Sequence, residues 1–142
     1  MRYFHEATVQ EIEDIVNHDD IAPALGIMPD RYMDMSHAFD NEGNVCLMSN
    51  IGGMFFANAG DGVYDSHFLF IPGSGGAEIK DAAHAMITEM FTRADVKVIT
   101  GAPPRDNRAV RHMGTALGYI KIPRSEHFDG LGRLCDKYEV RK

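Results

Sequence analysis

The sequence predicts one mixed α/β domain of 142 residues in which strands and helices alternate, and three segments carry that prediction. From Asn44 to Ile71, three strand-like runs are separated by turns rich in Gly and Asn. From Ile79 to Phe91, apolar residues keep helical spacing. From Val96 to Ile122, a buried strand, a capped helix and a second strand follow one another. The length suits a single unit over residues 1–142, and 44% hydrophobic with 25% charged residues describes a chain that buries a core rather than a disordered or fibrous one.

Taken in order, Arg2 to Glu6 reads as a short strand. Thr8 with Glu11 three residues later forms a capping box ahead of Val9, Ile12, Ile15 and Val16, so a first helix ends near Asn17. Between His18 and Phe39 the breakers Pro23, Gly26 and Pro29 leave only a short helix and loop. Val45 to Met48, Gly53 to Ala57 and Val63 to Ile71 are expected to pair as an antiparallel meander, turning at Asn50-Ile51-Gly52 and at Asn58-Ala59-Gly60-Asp61-Gly62. Ile79, Ala82, Ala83, Met86, Ile87, Met90 and Phe91 share one helical face, which must be buried. Val96 to Thr100 reads as a buried strand, and Ala102-Pro103-Pro104 leads to a helix opening near Asp106-Asn107. That helix carries Val110, Met113 and Leu117 on one face and stops at Gly118; Tyr119 to Ile122 completes the crossover. Leu134 to Val140 alternates as one half-exposed strand should.

Fourteen basic against 21 acidic side chains give a net charge of −7, which repels phosphate backbones and anionic lipid. No apolar run approaches the ~20 residues of a membrane span, and no charged-then-apolar leader opens the chain. The expectation is a cytoplasmic protein with neither nucleic acid nor membrane as partner. Cys46 and Cys135 are expected as buried free thiols, and the seven histidines avoid metal-ligand spacings, so no metal site is expected.

One junction suggests an anion site. Ile71-Pro72-Gly73-Ser74-Gly75-Gly76-Ala77 feeds a strand into a helix, whose free N–H groups and dipole attract phosphate while the glycines let it approach the backbone. A plain flexible turn is the alternative. No dinucleotide fingerprint, P-loop or hydrolase triad occurs elsewhere.

The element order, Val63 to Ile122 above all, resembles that of the GNAT superfamily of acyl-CoA-dependent N-acyltransferases. Asn107 opening its helix, with Gly118-Tyr119 eleven and twelve residues later, is similar to that family's pattern. The resemblance implies an α/β (α+β) GNAT-like fold, a mixed and mostly antiparallel central sheet flanked by helices. It also implies transfer of an acetyl group from acetyl-CoA to a small or protein amine by direct attack. Carried over residue by residue, Gly73, Gly75, Gly76 and Ala77 would hold the pyrophosphate, the backbone of Leu69, Phe70 and Ile71 would pair with the pantetheine arm, and Asn107 would also bind the cofactor. Asp65 and His67 share one face of the same strand, and either could be the base; His67 is preferred because an imidazole titrates near neutral pH. The competing reading packs His67 against Phe55, Phe56 and Phe68.

Departures from the family pattern are specific. Gly75 stands where Arg or Gln is usual, Glu78 and Lys80 replace two glycines, and Gly114 replaces a tyrosine that many members use as the acid. The second reading is therefore a catalytically inactive GNAT-fold protein, similar to GNAT-like proteins of tailed bacteriophages. It would be virion-associated and act in virion or head assembly or as a binding module. Its partner would be a second copy or a phage structural protein, met by Met28, Tyr32, Met33, Met35 and Phe39.

Overall fold

The computed structural model describes residues 4–25, 27, 31–40 and 42–142. Helix α1 (Val9–Val16) begins with the capping box read from sequence: the Thr8 hydroxyl accepts from the Glu11 amide at 3.2 Å, and the Glu11 carboxylate accepts from the Thr8 amide at 3.1 Å. A short 3₁₀ turn at Ala22–Leu25 is the regular element between Asn17 and the sheet among the described residues. Met28, Gly26 and Pro29 lie outside those residues, as do Arg2 and Tyr3 of the expected first strand.

Strands β1 (His5–Glu6), β2 (Val45–Ser49), β3 (Gly52–Gly60) and β4 (Val63–Phe70) pair antiparallel in sequence order, so the meander is as expected. Asp61-Gly62, both at positive φ, make the tight turn between β3 and β4. Helix α2 (Gly76–Phe91) then returns the chain to β5 (Val98–Gly101), which lies parallel to β4. Helix α3 (Arg108–Ala116) leads to β6 (Ile120–Lys121) at the sheet edge. Gly118, at φ +93, supplies the left-handed residue that ends this helix. A hairpin of β7 (His127–Phe128) and β8 (Leu134–Cys135) stands apart, and β9 (Tyr138–Arg141) inserts between β5 and β6.

The two sheet faces bury different partners, as alternation demands. Leu47, Met54, Phe56 and Tyr64 pack with Ala83, Met86, Ile87 and Met90 of α2 and with Leu117 and Tyr119. Cys46, Met48 and Leu69 face the other way, against Ile12 and Val16 of α1. Both cysteines are buried and free.

The single strand expected over Leu134 to Val140 is a correction. It breaks at Asp136-Lys137 because Asp136, only 3% exposed, turns its carboxylate onto Arg105, which donates from Nε at 2.7 Å and from Nη2 at 2.9 Å. A buried carboxylate must be paired, and that pairing outweighs continuation of the ladder. The surface expected around Tyr32 is also divided: Tyr32, Met33 and Phe39 are exposed, whereas Met35 packs beside α1.

Candidate active site

The site begins where two parallel strands part. The β4–β5 ladder runs through Val63–Val98, Tyr64–Ile99 and Asp65–Thr100 and stops there, while β4 continues to Phe70 with β3 along its other edge. From Ser66 onward, β4 has a strand on one side and a cleft on the other. At the fork the Ser66 hydroxyl donates to the Thr100 carbonyl at 2.6 Å and lies 2.9 Å from the Tyr119 hydroxyl. Ser66 has a single proton and spends it on that carbonyl, so the Tyr119 hydroxyl is the donor to Ser66. Burial pushes the Tyr119 phenol up to about 12, which keeps that proton in place.

A cavity of about 260 Å³ fills the fork. Its floor is Asp65 to Phe68 of β4, its far side Gly101 to Pro104 after β5, and one wall is the face of α3 carrying Asn107, Val110, Arg111 and Gly114. The β7–β8 hairpin closes another side with His127, Asp129 and Arg133. Arg133 pairs with Asp129 at 2.8 Å and donates to the Pro23 carbonyl at 2.8 Å, tying the hairpin to the segment after α1.

Asp65 and His67 meet in this cavity. His67 Nε2 stands 3.4 Å from Asp65 Oδ2, and the Thr100 hydroxyl donates to Asp65 Oδ1 at 2.9 Å. Burial alone would raise the Asp65 pKa, but hydrogen bonds from His67 and Thr100, with the charges of His67 and Lys137, hold it below the ordinary carboxylate range. Both carboxylate oxygens are thus engaged, whereas His67 is 47% exposed. With a proton on Nε2 directed at Asp65, Nδ1 is the basic atom, and it has no bonded partner among the described residues. Phe55 is the cross-strand neighbour of His67.

Of the remaining sequence candidates, Asn107 lines the cavity and the others lie outside it. Asn107 caps α3, its side-chain oxygen accepting from the Val110 amide at 3.2 Å, which leaves Nδ2 for a ligand. Leu69, Phe70 and Ile71 lie beyond the cavity, with Leu69 buried toward α1 and the Ile71 amide donating to Ile51. Gly73, Gly75, Gly76 and Ala77 form the exposed start of α2, also outside the cavity. Gly73 has φ +94, and Gly75 caps the helix without any side-chain bond. A Cβ on Gly73 or Gly76 would meet nothing within 4 Å, so the approach to these amides is open. Glu78 is exposed, but its side chain lies back over the turn: a Cβ on Gly75 would stand 3.8 Å from its Oε1. Sequence reasoning missed Ser66, Thr100 and the position of Tyr119, whose ring packs on Gly114 and brings a hydroxyl to the fork that no spacing along one element foretells.

Comparison with known proteins adds the fold. No family model matches the sequence, and no curated relative does. Solved structures match over almost the whole chain. The spermidine N-acetyltransferase of Vibrio cholerae, solved with CoA and spermine, gives a TM-score of 0.74 at 13% identity over 97% of this chain and 94% of that one. A Salmonella typhimurium protein solved with its cofactor acetyl-CoA gives 0.72 at 16% identity over 97% and 92%. A GNAT-family acetyltransferase of Bacillus anthracis gives 0.68 at 12% identity over 97% and 93%. The fold is therefore that of the GNAT acetyltransferases, as the element order led us to expect.

Proposed function

We propose that this chain is an N-acetyltransferase that moves an acetyl group from acetyl-CoA to an amine by direct attack, with His67 as base and Asp65 orienting it. The observation that carries the reading is the coincidence of the β4–β5 fork with the Asp65–His67 pair. A fork exposes the edge of β4 from Ser66 onward, and an extended arm with alternating amides is the ligand chemistry that such an edge accepts. The uncapped start of α2, open at Gly73 and Gly76 and bordered by Glu78 at Gly75, suits the pyrophosphate, and Asn107 Nδ2 suits a carbonyl of the arm. Acetyl-CoA would supply the activated acyl group.

In this reading the incoming ammonium is drawn to the ionised Asp65 and loses its proton to His67 Nδ1. The freed amine attacks the thioester carbonyl, the C–S bond breaks as the nitrogen gives up its second proton, and the thiolate takes up that proton by way of water. Asp65 with both oxygens occupied and a depressed pKa is a poor base but a good partner for an imidazolium. This supports His67, the residue already preferred as base from the sequence. The second reading, a silent GNAT fold used in assembly, draws on Gly114, which offers no hydroxyl where many members have tyrosine.

A thiol-release assay against a panel of amines tests the proposal. Release that falls about 10²- to 10⁴-fold in His67→Ala, and less in Asp65→Asn, is the expected result. A protein that binds acetyl-CoA but releases no thiol with any amine favours the silent fold.

A further inference from the structure

Three arginines stand at or beside the cavity, and two are neutralised. Arg105 is held by Asp136 and Arg133 by Asp129. Arg111, on the α3 wall, faces no carboxylate among the described residues. Its Nη1 donates to the Arg105 carbonyl at 2.6 Å, which fixes the guanidinium plane. Its Nε is sealed from water and has no acceptor. A buried donor without an acceptor is rare in a folded chain and marks a place where a partner is missing.

We infer that Arg111 is the receptor for a carboxylate carried into the cleft by one of the two reactants. The edge left over by the Arg105 carbonyl is the Nε–Nη2 edge, the same edge with which Arg105 grips Asp136. That edge matches a planar carboxylate in two parallel bonds. Nε is buried as the side chain stands, so this edge meets a ligand only when the bond to the Arg105 carbonyl is released and the guanidinium turns into the cavity that Arg111 lines. Gly114, one turn further along α3, contributes no side chain and leaves the room. A phosphate is the poorer match, because the cavity does not reach the amides of the helix start at Gly75 and Gly76. Asp65, which also lines the cavity, is engaged by His67 and Thr100, so Arg111 is the cavity-lining arginine that meets no carboxylate among the described residues, and its complement is a carboxylate on an amino acid or on a dicarboxylic acyl group.

The inference rests on the fork being the reaction site, and paired ligands test it separately from that reading. Calorimetry on CoA-saturated protein compares glycine with methylamine and β-alanine with ethylamine; a second arm compares succinyl-CoA with butyryl-CoA. In one arm the carboxylate member should bind about 10- to 100-fold more tightly. Arg111→Gln should abolish that preference with CoA affinity retained, and Arg111→Lys should restore part of it. The amine arm identifies the acceptor as the carrier, the acyl arm the donor. Equal affinities in both arms, a preference that survives in Arg111→Gln, or a loss of affinity for CoA itself in that variant overturns the inference. Failure of the wild-type protein to bind CoA instead overturns the acetyltransferase reading, and the amine arm run without CoA still reads the carboxylate preference.

Discussion

The Ser66 side chain, 7% exposed, works as a clasp where β4 and β5 part: it hands its proton to Thr100 and receives one from Tyr119. Removing it and removing the tyrosine hydroxyl are not equivalent. Ser66→Ala strands the Tyr119 donor in a buried site, which costs about 1–3 kcal/mol, whereas Tyr119→Phe leaves Ser66 bonded to Thr100 and costs about 0.5–1.5 kcal/mol. Urea denaturation of both variants checks the order, which a larger loss in Tyr119→Phe would reverse. The clasp was not legible in the sequence, because its two hydroxyls are 53 residues apart and nothing local marks them as partners. Asp65 and His67 were legible as neighbours, since strand parity alone puts them on one face, but the Thr100 hydroxyl that engages Asp65 lies 35 residues away and was not.

Helix α2 shows what periodicity reads and what it leaves out. Its buried face of Ala83, Met86, Ile87 and Met90 follows from spacing, and the capping box of α1 and the stop of α3 at Gly118 are likewise local signals. The break at Asp136 and the β7–β8 hairpin are not local. Alternation over Leu134 to Val140 cannot reveal that Arg105, 31 residues earlier, claims a carboxylate from the middle of the run. The start of α2 also carries its own prediction. Glu78 in the first turn stabilises the helix but opposes an incoming pyrophosphate, so Glu78→Gln should bind CoA about 2- to 5-fold more tightly while slightly lowering helix stability. Unchanged affinity in a titration would place the pyrophosphate away from this turn.

Over the whole molecule, the carboxylates that tie the cleft together share one direction of shift. Bonding to Arg105 lowers Asp136; for Asp129 and Asp65 burial acts upward but is outweighed by bonds from Arg133 and Leu131 and from His67 and Thr100. A folded pKa below the unfolded value near ~3.9 gives stability that is fully present above that pH and lost as the pH falls from there through the folded pKa. The thermal midpoint should therefore drop steadily from pH 5 to pH 3 as these ties are protonated, and a midpoint flat over that range would contradict the shifts. β9 occupies the far edge of β5, opposite the edge that β4 leaves, and the overall fold is shared with solved acetyltransferases at 12–16% identity. The most direct test of the account is a calorimetric titration of the protein with acetyl-CoA. Saturable binding of one molecule per chain, with a dissociation constant between about 1 μM and 1 mM, is the predicted result. No heat of binding at millimolar acetyl-CoA would contradict the central claim that the parted strands are a cofactor cleft.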